Sequence, residues 1–72
     1  MDWLALLTLL LPLIEALLRL FSGNKDPNRR LIRRNLDRCN AAAKGAKPTN
    51  KRGKGLLARL ARANALADRL GV

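Results

Sequence analysis

The chain has 72 residues, a formal charge of +10, one cysteine and no histidine. These counts exclude an intramolecular disulfide, a histidine-based metal site and a histidine general base. A fold this short is marginal without reinforcement, and its charge is uneven: residues 1–22 sum to −1 and residues 23–72 to +11, which points to a polyanionic partner such as anionic lipid, nucleic acid or an acidic protein face.

Residues 1–22 contain the first element, WLALLTLLLPLIEALLRLF over 3–21. As a helix it would cover roughly 28 Å, close to the hydrocarbon thickness of a bilayer. Thr8, Pro12, Glu15 and Arg19 recur at spacings of four, three and four and form one polar stripe, with Ala5 and Ala16 beside it. Trp3, Leu6, Leu10, Leu13, Leu17 and Phe21 take the opposite side. This apolar arc is wider than a soluble bundle helix usually shows. The remainder of the chain reads as too short and too charged to wrap it, so the segment is expected to be a membrane-embedded helix, spanning in a single pass; its wide apolar face also permits it to lie flat in the interface, though its sparse polar charge favours insertion. Pro12 removes a backbone bond and is expected to kink it. Trp3 suits one membrane interface, and Arg19 can snorkel to the other. Glu15 within an apolar helix would mark an ion path in some membrane proteins; pairing with Arg19 at i,i+4 is the simpler account. The segment lacks the positive start and small-residue cleavage site of a secretory signal, having Asp2 instead.

Ser22-Gly23-Asn24 breaks the helix, with Gly23 as a left-handed cap, and Asp26-Pro27 reads as an N-cap followed by proline at the first helical position. The second element, within residues 23–44, is expected over Pro27 to Lys44. Ile32, Leu36, Cys39 and Ala43 make a thin apolar stripe with Leu31 to one side, and Asp37 lies within reach of Arg33 and Arg34. Residues 45–55 read as a basic linker, because glycine, proline and asparagine oppose a helix and like charges extend the chain. The last element, within residues 56–72, presents Leu56, Leu60, Ala63, Ala67 and Leu70 on one face, widened by Leu57 and Leu66 and flanked by arginines, with Gly71 as its cap. The expected fold class is therefore all-α: an N-terminal membrane helix followed by two short basic amphipathic helices.

No catalytic constellation is visible and no cofactor or metal is implied; the chain reads as non-enzymatic. Neighbouring arginines can lower the thiol pKa of Cys39, but no base accompanies it, and a small residue on a helix face explains it better. The strongest functional signal is the basic region. Arg29, Arg30, Arg33, Arg34, Arg38, Lys44, Lys47, Lys51, Arg52, Lys54, Arg59 and Arg62 are the expected polyanion-binding residues. The aromatic side chains are confined to Trp3 and Phe21, so nucleic-acid contact would be to the backbone and largely independent of sequence.

The layout, an apolar helix first and a basic segment after it, is similar to that of small coat and membrane proteins of bacteriophages. That resemblance implies a minor structural protein of a membrane-containing virion, touching packaged genome or inner capsid. Two alternatives use the same features: an accessory subunit of a larger membrane complex, whose polar stripe faces partner helices, and a pore former lined by Thr8, Glu15 and Arg19. Expected partners are anionic lipid headgroups, nucleic acid bound without sequence preference, other protein subunits and further copies of the chain. A spanning helix would place the N-terminus outside and residues 23–72 on the cytoplasmic or interior side.

Overall fold

A computed structural model of the protein describes residues 2–23 and 25–72; Met1 and the expected break at Asn24 lie outside the described residues. The chain forms three helices, α1 (Trp3–Arg19), α2 (Arg29–Ala43) and α3 (Lys51–Leu70), with no strand among the described residues. The all-α expectation holds at that level.

One repeat explains why three helices this short assemble. The buried seams are Leu7, Leu11, Ile14 and Leu18 on α1, Ile32, Leu36 and Cys39 on α2, and Leu56, Leu60, Ala63 and Ala67 on α3, with Leu10 and Asn35 buried beside the first two. Within each helix they alternate steps of four and three, the period at which helices lie nearly side by side and interdigitate. Cys39, Ala63 and Ala67 are small, which lets the backbones approach. Helix directions follow from the bonds between helices. Arg52 reaches Thr8 and Arg59 reaches Glu15, both 44 residues apart, so α3 runs parallel to α1. Asn40 meets Asn64 while Arg29 meets Gly71, so α3 runs antiparallel to α2. The result is an up-down-up bundle measuring 39 × 20 × 17 Å. A body so narrow leaves every helix with one arc in solvent.

This packing corrects the expectation that later segments cannot cover the leucine-rich helix. The charges of α2 and α3 are confined to outward arcs, and each contributes one apolar seam; together the two seams cover one side of α1. Leu7, Leu11 and Ile14 are fully buried. No helix of the described residues is long and apolar enough to cross a membrane. Helix α1 stops at Arg19, two residues before the expected end, because Phe21 turns back onto the core. Trp3, expected at a membrane interface, has a protein neighbour in this fold. It is half-buried and packs on α3 at Gly53.

The other boundaries also move for local reasons. Asp26 does cap, but it caps the turn ahead of α2: its carboxylate accepts from the backbone N–H of Asn28 at 2.8 Å and of Ser22 at 3.0 Å. Regular helix then begins at Arg29 instead of Pro27. The basic linker is shorter than its composition suggests. Helix α3 starts at Lys51, since the Asn50 side chain accepts the N–H of Gly53 at 2.8 Å and satisfies a donor that the helix start leaves unpaired. Gly53 is helical and buried. A β-carbon there would lie 3.1 Å from Pro48 Cβ and 3.2 Å from the Trp3 ring, so glycine serves close approach instead of breaking the helix. At the far end Gly71 (φ 78°) closes α3 as expected. The Val72 N–H returns to the Ala67 carbonyl and the Gly71 N–H to that of Asp68, a Schellman ending.

Candidate functional site

The twelve cations expected to meet a polyanion fall into three groups. On α2, Arg30, Arg34 and Arg38 repeat every four residues, so they follow one another along the outward arc and are all exposed. With Arg33 and Asp37 they border a shallow open depression. Arg33 is engaged within the fold: Nη2 donates to Asp37 Oδ1 at 2.7 Å and Nη1 to the Val72 carbonyl at 3.2 Å. Arg29 donates to the Gly71 carbonyl at 3.2 Å. These two arginines face the C-terminal end of α3, where the helix dipole favours positive charge.

The second group lines a cleft between α1 and α3. Arg59 and Arg62 are common to its two ends; Lys51, Arg52 and Thr8 lie toward one, Arg19 and Glu15 toward the other. Here the polar stripe of α1 finds its use. Arg52 donates to the Thr8 hydroxyl at 3.4 Å, and that hydroxyl donates to the Leu4 carbonyl at 2.7 Å. Glu15 pairs with Arg59 through two N–H groups, at 2.5 and 3.3 Å, and not with Arg19 as its spacing suggested. Arg19 sits a turn farther along the same helix, whereas Arg59 comes across from α3 and presents a two-pronged donor to both carboxylate oxygens. The hydrogen bond from Arg59 is the main reason the Glu15 carboxyl is held below the usual carboxylate range; partial burial opposes it, and the charges of Arg59, Arg19 and Arg62 assist. Pro12 and Arg19 remain exposed on the same stripe. The neighbour expected for this stripe is thus supplied by the chain itself.

The third group surrounds the start of α3. Lys51, Lys54 and Arg52 occupy its first turn with no acidic residue beside them, and Lys44 and Lys47 precede it in an exposed loop. A helix start carries partial positive charge, so three cations there oppose the dipole.

Four of the twelve cations, Arg29, Arg33, Arg52 and Arg59, are therefore bonded to the fold. The other eight, Arg30, Arg34, Arg38, Lys44, Lys47, Lys51, Lys54 and Arg62, make no side-chain bond or ion pair to protein among the described residues. Cys39 is fully buried on the inner face of α2, and burial pushes its thiol up, outweighing the opposing pull of Arg38. One feature of the α2–α3 contact escapes sequence reading. The Asn40 and Asn64 amides bond reciprocally, at 2.8 and 2.9 Å. Their only sequence signal is a shared position, each directly following a seam residue, Cys39 or Ala63. No protein-family model matches the chain, and no curated protein or solved structure matches it.

Proposed function

We propose that the chain is a small non-enzymatic structural or accessory protein. It binds a phosphate-bearing polyanion, such as a nucleic-acid backbone, through its arginine and lysine faces while associated with a membrane. The corresponding setting is that of a minor component of a membrane-containing bacteriophage virion, in contact with packaged nucleic acid or the inner capsid. The observation that carries this reading is the set of eight cations with no bond to the fold among the described residues, three of them in regular file along α2. The same ordering of charge is unfavourable for the protein alone. Like charges along one arc repel, and the first turn of α3 carries cations where its dipole prefers anions. A polyanion relieves both.

A spanning arrangement with the N-terminus outside and residues 23–72 inside requires the bundle to open. Trp3 packs on Gly53, so a bilayer cannot separate them while the fold persists. A pore lined by Thr8 and Glu15 meets the same obstacle, since both already bond to α3.

The test is a salt titration of full-length protein against duplex DNA. Affinity should fall linearly with log salt, and replacing Arg30, Arg34 and Arg38 by glutamine should lower the slope by about one for each phosphate left without its cation. Lys51→Glu with Lys54→Glu should weaken binding while raising stability by about 0.3–1 kcal/mol per residue through the helix dipole. Absence of binding at low salt, or a slope unchanged by the arginine replacements, overturns the proposal.

A further inference from the structure

We infer that the outward arc of α1 is a docking face for an anionic lipid bilayer, which the intact bundle meets side-on without inserting a spanning helix. This deepens the membrane half of the function proposed above and rests on it; the two faces share Arg34 and Arg38, and the leucines tested below belong to the lipid face alone.

The observation is a one-sided distribution of exposed leucine. Leu9 and Leu13 on α1 and Leu20 at its C-terminal cap are 67, 42 and 76 % exposed, and Leu31 on α2 is 42 % exposed. Along α1 and its cap the three lie in one stripe about 16 Å long, opposite the buried seam. Leu31 is on the flank of α2 turned away from α3, because α2 meets α3 through Arg29, Arg33 and Asn40 on the other side of its own seam. The stripe and Leu31 thus belong to the same side of the molecule. Among the described residues the one other large apolar side chain left exposed is Leu70, near the end of α3. Nothing in the bundle's own packing calls for these leucines, since the core is complete without them.

Charge selects the occupant. Arg19 flanks the stripe on the α3 side of α1, and Arg34 and Arg38 follow Leu31 at three and seven residues on the same side of α2; all three are exposed, and none bonds to a protein group among the described residues. Leucine rimmed by arginine matches a bilayer surface, where acyl chains lie beneath phosphate and anionic headgroups. A second copy of this chain is a poor match. It would bring the same cations to the rim, and the carboxylates of α1 and α2 are already engaged: Asp37 with Arg33 and Glu15 with Arg59. Immersion of one arc to about 5–10 Å leaves the seams and the bonds between helices intact.

Cys39 supplies an internal reporter. It is the single cysteine and is fully buried between the helices, so its reaction with a maleimide measures opening of the bundle. The full-length protein should bind vesicles of phosphatidylcholine mixed with phosphatidylglycerol, bind pure phosphatidylcholine far more weakly, and keep Cys39 protected on the vesicle. Replacing Leu9, Leu13 and Leu20 together by glutamine should lower vesicle partitioning by about tenfold or more. Helical content and affinity for duplex DNA should be unchanged in that variant, which separates failure of this inference from failure of the polyanion reading. Four results overturn the docking face: no binding to anionic vesicles, equal binding to neutral ones, partitioning indifferent to the three leucines, or binding that exposes Cys39 as α1 leaves the bundle. A lipid-free dimer abolished by the same replacements, with no vesicle binding, would assign the stripe to a second copy instead.

Discussion

The two sides of α1 are built from nearly the same residue and do opposite things. Leu7, Leu11, Ile14 and Leu18 are buried against α2 and α3, whereas Leu9, Leu13 and Leu20 face out. Composition does not separate them; geometry does. The inner set falls on the one arc that matches the seams of both neighbours, and the outer set falls half a turn away. Hydrophobicity alone therefore overstates what the chain must hide from water, and the same holds in another helix. In α3, Gly53 and Gly55 are two residues apart, one buried under Trp3 and Pro48, the other in open space.

The largest effect that sharpens this comparison is a matched pair in α1. Leu11→Ala should cost about 2–5 kcal/mol, the usual range for truncating a fully enclosed leucine. At roughly 0.05–0.15 kcal/mol per residue, a domain of this size has little more than that to lose, so a large part of the population should be unfolded. Leu9→Gln, two residues earlier, should change stability by no more than about 0.5 kcal/mol. Urea denaturation followed by helical circular dichroism measures both. Similar losses at the two positions would mean that the outer arc is also covered in solution.

The glycine pair should give a smaller contrast. Gly55→Ala should stabilise α3 by about 0.5–1 kcal/mol, because alanine is the better helix former and its methyl meets nothing. Gly53→Ala gains the same helical preference but must displace Pro48 or the Trp3 ring, and overpacking of this kind costs about 1–3 kcal/mol. The two variants should therefore differ by at least about 1 kcal/mol in the same denaturation experiment. Equal gains would show that Trp3 does not hold its place over α3.

Much of the helical layout is legible in the sequence, and the reasons for success and failure are physical. In α2 and α3 charged residues interrupt the apolar ones at intervals of three and four, so the apolar positions left on one face mark the inner side. Ile32, Leu36 and Cys39 are legible on that ground, as are Leu56, Leu60, Ala63 and Ala67. In α1 nearly every arc is leucine, and the period carries no contrast. The expected face through Leu6, Leu10, Leu13 and Leu17 lies to one side of the true seam: Leu10 is buried, Leu6 and Leu17 are half-buried against the core, and Leu13 is exposed. The polar stripe is legible as a stripe, but not as the line along which α3 lies. An i,i+4 spacing within one helix is visible in a sequence; a partner 44 residues away is not. Gly53 misleads for a related reason: a glycine that breaks a helix and one that admits a neighbour look alike until the neighbour is known.

Glu15 stands at the border between the two sides of α1, and its pairing gives the smallest effect. Both side chains of the Glu15–Arg59 pair are about one-third exposed, at 34 and 36 %. Solvent screening therefore limits the pair to less than about 1 kcal/mol at neutral pH. Because Arg59 lowers the native pKa of Glu15, the folded state holds this carboxyl's proton less readily than the unfolded chain does. The stabilisation is present above the unfolded value, near 4.3 as an approximate reference, and disappears as pH falls through the lower native value. Glu15→Gln should accordingly reduce the midpoint of thermal unfolding slightly at pH 7, and the two curves should converge in acid. Asp26, also lowered by hydrogen bonds from Asn28 and Ser22, titrates in the same direction in both proteins and cancels from the difference. The identity of the partner is then decided by a double-mutant cycle. Arg59→Gln should lose its effect once Glu15 is replaced, while Arg19→Gln should couple to Glu15 much more weakly than Arg59→Gln does. Coupling to Arg19 in place of Arg59 would return Glu15 to the pairing within its own helix, and it would remove the charged tie that fixes α3 beside the stripe.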